Sequence, residues 1–263
     1  MENQPLVSVV TPAFNAARFI KDTIDSVLAQ TYKNWEMLIC DDGSSDDTVE
    51  IVSMIARDDA RIKVILSEKN GGPAVARNKA LEMAAGRFIA FLDADDLWLP
   101  AKLEKQVNFM LVRDYAITYM PYSRIDEKGR LLGSPISVPN KTTYRQLLKH
   151  NVLGCLTVVV DRSKCGELKM LSQGYDDYIL WLSILRKGFV AHALQENCSR
   201  YRILAGSVSR NRLRAAQWVW NIYRNIEGLN LFDCIWNFLN YFVRVSFKNR
   251  HLYLHSPKAK VLS

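Results

Sequence analysis

Two short apolar runs in this chain end in aspartates: Met37 to Cys40 leads into Asp41-Asp42-Gly43-Ser44, and Phe88 to Leu92 into Asp93-Ala94-Asp95-Asp96. An acid at the exit of a buried strand is costly unless it binds something. Two such exits in one parallel sheet place carboxylates along a common edge, and in open α/β sheets that edge is where ligands sit. Carboxylates one residue apart suit a hard divalent cation held against a diphosphate. The pattern points to an enzyme that handles a nucleotide-activated compound with a metal.

The residues around these runs alternate between strand and helix patterns. Leu6 to Thr11 is a β-rich run, after which Phe19, Ile20, Ile24, Val27 and Leu28 recur at helical spacing. Trp35 to Cys40 is a second strand, and Ser44 or Ser45 is the expected N-cap of a helix carrying Val49, Val52 and Ile55. Ile62 to Leu66 is a third, followed by a helix from near Pro73 to a C′ glycine at Gly86. Phe88 to Leu92 is the fourth, and Pro100 stands where it opens another helix. Such alternation implies a mostly parallel, doubly wound sheet. After Ala116 the pattern loosens. Asp126 to Arg130 reads as a hairpin turn, Thr157 to Val160 and Phe189 to Leu194 as strands, and Asp177 to Lys187 as a helix stopped by Gly188. Helical patterning is expected from Ser209 onward.

At 263 residues the chain can bury a sizeable core, as one large domain or a domain with an appendage. Cys40, Cys155, Cys165, Cys198 and Cys234 are scattered and never spaced Cys-x-x-Cys, which argues against a zinc site or disulfide framework and for reduced cytosolic thiols. Met1 to Pro5 leads directly into a strand-like segment rather than a signal peptide. No G-x-G-x-x-G follows the first strand and no Walker lysine motif occurs, which weakens a dinucleotide-dehydrogenase reading. Charge is uneven. Residues 1–120 hold 13 Lys and Arg against 18 Asp and Glu, whereas residues 121–263 hold 22 against 9. An acidic half can be neutralised by a metal, and a basic half suits an anionic surface.

Four segments, in order and spacing, resemble glycosyltransferase family 2, over roughly residues 6–210. They are Val7-Ser8-Val9-Val10-Thr11-Pro12-Ala13-Phe14-Asn15, Asp41-Asp42-Gly43-Ser44, Asn70-Gly71-Gly72-Pro73-Ala74-Val75-Ala76-Arg77-Asn78 and Asp93-Ala94-Asp95-Asp96. The resemblance implies an α/β protein of the GT-A (nucleotide-diphospho-sugar transferase) fold, a doubly wound mixed sheet with a helical C-terminal extension. The expected division is a catalytic domain at 1–208, with a nucleotide-binding half at 1–115 and an acceptor-binding half at 116–208, and a helical, basic extension at 209–263 that lies outside the resemblance. It further implies an inverting transfer of a sugar from a nucleoside diphosphate-sugar, with uridine as the family-level lean and Mn²⁺ or Mg²⁺ as cofactor.

By the same resemblance Pro12, Ala13 and Phe14 line the nucleobase pocket and Asp42 accepts a hydrogen bond from the base. For Asp41 and Asp46 the alternatives are to orient a neighbour or to sit in a helix's first turn. Arg77, about a turn into its helix, is a charged donor for ribose or diphosphate, or else a surface arginine. On an extended chain Asp93 and Asp95 face one side. One meets ribose or a bridging water, Asp95 ligates the cation, and Asp96 shares it or caps the turn. Gly174 to Leu182 resembles the family's Glu-Asp segment, with Asp176 where the family has Glu. Asp177 is then the base that deprotonates the acceptor hydroxyl and Asp176 its partner, against a purely helix-initiating role for both. Tyr201 to Ser209 resembles a late segment that often carries histidine where Leu204 stands, and leucine cannot ligate a metal. His192 is nearby in sequence and reads as a core or surface histidine. Arg202 is open between the diphosphate and a structural ion pair.

Leu229 to Val243 is aromatic and aliphatic, with Asn230, Asp233, Asn237, Asn240 and Arg244 recurring as a polar stripe. A spanning helix needs ~20 mainly apolar residues, so an amphipathic helix in the headgroup region, flanked by Lys248, Arg250, Lys258 and Lys260, fits better. Packing on the catalytic domain or a second subunit is the alternative. The expectation is a cytoplasmic enzyme peripheral to the inner face of the plasma membrane, acting on a glycan or lipid-linked glycan and not on nucleic acid. A nucleotidyltransferase and a non-catalytic sugar-nucleotide-binding membrane module are the rivals.

Overall fold

The computed structural model describes residues 4–204 and 212–241. Apolar runs and amphipathic helices alternate through the first half: β1 (Val7–Ala13), α1 (Ile20–Leu28), β2 (Trp35–Asp41), α2 (Thr48–Asp58), β3 (Ile62–Leu66), α3 (Pro73–Met83), β4 (Phe88–Phe91), β5 (Leu97–Trp98) and α4 (Lys102–Arg113). The second half is less regular: β6 (Ile117–Tyr119), β7 (Tyr122–Ile125), β8 (Leu131–Ile136), β9 (Lys141–Thr142), α5 (Tyr144–Lys149), β10 (Val159–Asp161), α6 (Arg162–Cys165), α7 (Asp176–Arg186), β11 (Ala191–Ala193), β12 (Ser199–Arg202) and α8 (Arg212–Asn221).

Eight strands form one sheet in the order β3-β2-β1-β4-β10-β6-β11-β9, and β5-β12-β7-β8 form a second. β3, β2, β1 and β4 run parallel, whereas β10 is antiparallel to both β4 and β6, so the main sheet is mixed. Because successive side chains alternate faces, the strands feed two cores. Val10, Leu38, Cys40, Ile89 and Phe91 meet α3, α5 and α7 on one face. Val9, Met37, Ile39, Phe88 and Ala90 meet α1, α2 and α4 on the other. The sequence order reverses between β1 and β4, which makes the crevice beyond their carboxyl ends the topological switch point.

Three boundaries differ from the sequence reading. α2 starts at Thr48 with Asp47 at its cap, because Ser44 and Ser45 are held by Asn15: its amide donates to Ser44 Oγ (2.8 Å) and its Oδ1 accepts from the Ser45 amide (2.9 Å). α3 ends at Met83, so Gly86 is no helix terminus. A Cβ there would lie 2.6 Å from the Ser8 amide nitrogen and 2.8 Å from the Leu6 carbonyl oxygen, so this glycine allows the chain to pass against β1. α4 begins at Lys102, two residues beyond Pro100.

The C-terminal helices pack on the α/β core. Val219, Ile222, Tyr223 and Cys234 are buried with α5 and α7, and Tyr144 Oη donates to Glu227 (2.6 Å). Residues 231–241 form a further helix. Its Cys234 and Asn237 are buried and Phe238 meets Trp220 edge-on at 5.6 Å, while Leu231, Phe232, Ile235, Trp236 and Leu239 are 46–77% exposed. Part of the polar stripe therefore turns inward and the apolar face outward. Arg244, Lys248, Arg250, Lys258 and Lys260 lie outside the described residues.

Candidate active site

The carboxyl ends of β1, β2 and β4 meet at one edge. Ala13 pairs with Asp41, the Asp42 amide donates to Ala13 O (2.8 Å), and the Leu92 amide to Val10 O (3.1 Å). Pro12 to Phe14 thus lie beside Asp42. Ala13 is buried, whereas the Phe14 ring is half exposed, an aromatic face left open beside an acid.

Asp41 and Asp42 have separate tasks. Asp41 accepts the Gly43 (3.1 Å) and Ser44 (3.0 Å) amides and so shapes its own turn. Asp42 reaches across to the loop after β3, accepting the Gly71 (3.0 Å) and Gly72 (2.6 Å) amides. Gly43 has φ +78°, and a Cβ on it would meet the Asn70 nitrogen at 3.2 Å, so the two loops touch because it has none. Asp46 accepts from the Ala17 (3.0 Å) and Thr48 (3.1 Å) amides. Burial opposes its charge, but these bonds and the Thr48 hydroxyl hold its carboxyl below the usual range.

Anchoring of Gly71-Gly72 aims α3, with proline at its first position. Its Arg77 is buried, and Nη2 bonds Asp93 Oδ1 at 2.5 Å. The surface-arginine alternative is thereby removed. Burial opposes the guanidinium charge, but Asp93, then Asp177, hold it firmly protonated. Arg77 Nε is buried without a protein partner. A buried donor left unsatisfied is costly.

Asp95 and Asp96 follow in the turn to β5. Burial, then the Asp93 charge, pushes the Asp95 carboxyl up to about 6. Asp96 is fully buried and raised well above the carboxylate range by desolvation, then by Asp95 and Asp93. Three acids in four residues with too little compensating charge form a donor set that fits a divalent cation. Among the described residues no group of three acids, histidines or cysteines is arranged to hold an ion alone.

Arg202 in β12 staples this turn. Its amide donates to Asp96 Oδ1 (2.8 Å) and its Nε to Asp95 O (2.8 Å), while Nη1 reaches Glu127 O (3.0 Å) and Nη2 reaches Asp22 (3.4 Å). Those donors are committed to the protein. Leu204 is two residues on, and residues 205–209 of that segment lie outside the described ones. His192 is instead stacked on Tyr115, 3.7 Å between centroids.

Asp176 and Asp177 open α7. Asp176 Oδ1 accepts the Gln173 amide (3.1 Å) and Asp177 Oδ1 the Tyr178 amide (2.8 Å). Burial pushes Asp177 up to about 6; Arg77 and the Tyr178 amide pull it down, Asp93 and Asp176 push it further up. Asp176 is raised too, chiefly by burial. The pair therefore shares the electrostatic neighbourhood of Arg77 and Asp93, although more than 80 residues separate them in sequence.

Sequence reasoning passed over Cys155, on the turn Cys155–Thr157 before β10. Burial raises its thiol well above the usual range, with Arg77 opposing and Asp93 and Asp177 adding to the rise. No motif marks it, since only the fold brings it to this centre.

The arrangement sets a buried arginine among acids, two of which, Asp95 and Asp177, are raised to about 6. The sequence profile of Glycosyl transferase family 2 matches residues 8–159. The chain is 44% identical over 239 residues to TuaG of Bacillus subtilis (strain 168), named for teichuronic acid biosynthesis, covering 90% of this chain and 95% of that one. It is 40% identical over 246 residues to the Escherichia coli UDP-Glc:alpha-D-GlcNAc-diphosphoundecaprenol beta-1,3-glucosyltransferase WfgD, covering 90% and 92%. The mannosyltransferase PcManGT of Pyrobaculum calidifontis, solved with GDP-Man and Mn²⁺, superposes with a TM-score of 0.65 at 19% identity over 87% of this chain and 66% of that one. This chain belongs to glycosyl transferase family 2 and is a glycosyltransferase of the GT-A fold.

Proposed function

We propose that the protein is a metal-dependent inverting glycosyltransferase that moves a sugar from a UDP-sugar to a lipid-linked glycan in bacterial surface-polysaccharide biosynthesis. The observation that carries this reading is the pair of buried Arg77 with Asp93 after β4, whose charges also act on Asp177 at the start of α7. Residues 1–115 serve the nucleotide, 116–208 the acceptor, and 209–263 the membrane. The UDP and lipid-linked choices lean on the name of WfgD, which shares 40% of its aligned residues with this chain.

In this reading Pro12, Ala13, Phe14 and Asp42 receive the nucleobase, with Asp42 offering the lone pairs that Gly71 and Gly72 leave free. Asp93 meets the ribose, and Arg77 supplies the positive charge beside the diphosphate. Asp95 and Asp96 would hold Mn²⁺ or Mg²⁺, which as a Lewis acid offsets charge on the departing diphosphate. Asp177 takes the proton from the acceptor hydroxyl at Oδ2, while Oδ1 stays fixed by the Tyr178 amide. A carboxyl raised to about 6 is a stronger base than an exposed aspartate yet is ionised at neutral pH. Asp176 orients the turn through Gln173.

Peripheral contact with an anionic membrane follows from the outward apolar face of residues 231–241 and the basic sequence beyond it. Among the described residues no helix is long and apolar enough to cross a membrane.

Incubation with UDP-, GDP- and dTDP-sugars, Mn²⁺ and GlcNAc-diphospho-lipid acceptors tests the function. The expected products are a nucleoside diphosphate and an extended lipid. Release of pyrophosphate would indicate a nucleotidyltransferase, and donor binding without turnover a binding module; either refutes the proposal.

A further inference from the structure

Asp177 lies two residues beyond a backbone turn at Gly174 and Tyr175 that α8 and the last described helix cover. Gly174 has φ +74°, and a Cβ built on it would run into the Trp218 indole, so the indole lies directly on this glycine. Tyr175 follows with φ +51°, a left-handed conformation that a bulky residue adopts only under constraint. Its ring meets Trp218 edge-on at 5.5 Å and 78°, and the Tyr241 side chain is close enough to act on its hydroxyl electrostatically. Asp176 and Asp177 come next, as the first two residues of α7.

The glycine adopts positive φ at no steric cost, but a left-handed tyrosine is unfavourable on its own. Here both are gripped from outside: Trp218 covers the first, and Trp218 with Tyr241 fixes the second. Both grips come from the C-terminal helices, far from the four motifs in sequence. Val219 of α8, and Ile222 and Tyr223 just after it, are buried in the core and anchor the helix there.

We propose that Trp218 and Tyr241 are positioning residues for the catalytic base, which makes the C-terminal extension part of the active site rather than solely an appendage for membrane contact. They touch neither donor nor acceptor and act through Gly174 and Tyr175 on the direction of Asp177. This rests on the assignment of Asp177 as base. A displacement of about 1 Å at a catalytic group can cost on the order of 100-fold in rate, so modest loosening of the turn is visible in turnover.

The test uses the full chain with W218A, W218F, G174A and Y241F. UDP release from UDP-glucose with a GlcNAc-diphospho-lipid acceptor gives kcat and KM, and calorimetry gives the affinity for UDP with Mn²⁺. W218A and G174A are expected to lower kcat at least 10-fold, Y241F severalfold, and W218F less than W218A, all with UDP affinity within twofold of the parent. A purely structural role predicts parallel loss of UDP affinity, because the nucleotide half would be disturbed equally. Y241F removes a single hydroxyl and keeps the test open should W218A fail to fold. Folded variants with unchanged kcat, or with kcat and UDP affinity falling together, overturn the inference. D177N run alongside separates the two failures. If D177N still turns over, the base assignment is wrong; if D177N is inactive while W218A and Y241F match the parent, the positioning claim is wrong.

Discussion

Replacing Asp177 by asparagine should make the protein less active and more stable at once. Asparagine keeps the size of the side chain and an oxygen for the Tyr178 amide (2.8 Å) but cannot take a proton. Loss of a general base typically costs 10²- to 10⁴-fold, about 3–5.5 kcal/mol of transition-state stabilisation. The stability term has the opposite sign. The carboxyl is moved from 3.8 to about 6, chiefly by burial, so its charged form costs the fold about 3 kcal/mol at most. A raised carboxyl favours the fold below pH ~4, and that contribution is gone once pH passes about 6. At pH 7.5 the wild type therefore carries the full cost and D177N none. With ~2–4 °C per kcal/mol for a chain of this size, the midpoint should rise by up to ~6–12 °C, and the gain should vanish near pH 4. Nucleoside diphosphate release from pH 5 to 9 and thermal unfolding at pH 4 and 7.5 read both effects. Wild-type turnover should fall about tenfold per pH unit below about 6. A D177N that keeps a tenth of wild-type turnover, or that is less stable at pH 7.5, would refute the reasoning.

Other outcomes follow from the same contacts. D95N should abolish the extra thermal stabilisation that Mn²⁺ gives to UDP binding, measured as a midpoint shift, because it removes the carboxylate assigned to the cation. R77A leaves Asp93 without its 2.5 Å partner and should cost about 3–5 kcal/mol in denaturant unfolding, whereas R77K should recover part of it. G86A forces a methyl group against Ser8 and Leu6 backbone atoms and should destabilise by about 1–3 kcal/mol without altering UDP affinity. Phe232→Ser with Trp236→Ser should reduce co-sedimentation with phosphatidylglycerol vesicles and leave the circular dichroism spectrum unchanged. Equal sedimentation would count against the outward apolar face as the contact.

The strand and helix alternation of the first 113 residues was legible because each element has its own period. A two-residue alternation or a 3.6-residue recurrence is local, and β1 to β4 and α1 to α4 appear close to where those periods put them. The aspartates at the strand ends were legible for the same reason, since a buried strand followed by acid is a local contradiction that a ligand resolves. Helix ends were read less well. Ser44 and Ser45 have the chemistry of an N-cap, but Asn15, 29 and 30 residues away, holds them in a loop. Gly86 has the chemistry of a helix terminus, yet its lack of a side chain serves contact with β1.

The amino-acid order alone determined the family, the parallel half of the sheet and the acids at its carboxyl edge, because those depend on periodicity and on short motifs. Only the tertiary structure decided that Arg77 pairs with Asp93, that Arg202 staples the Asp95 turn, that Cys155 joins them, and that Trp218 lies on Gly174. Each of these joins residues that are distant along the chain. Their contact is set by how helices and strands pack, and packing depends on every element at once rather than on any local stretch.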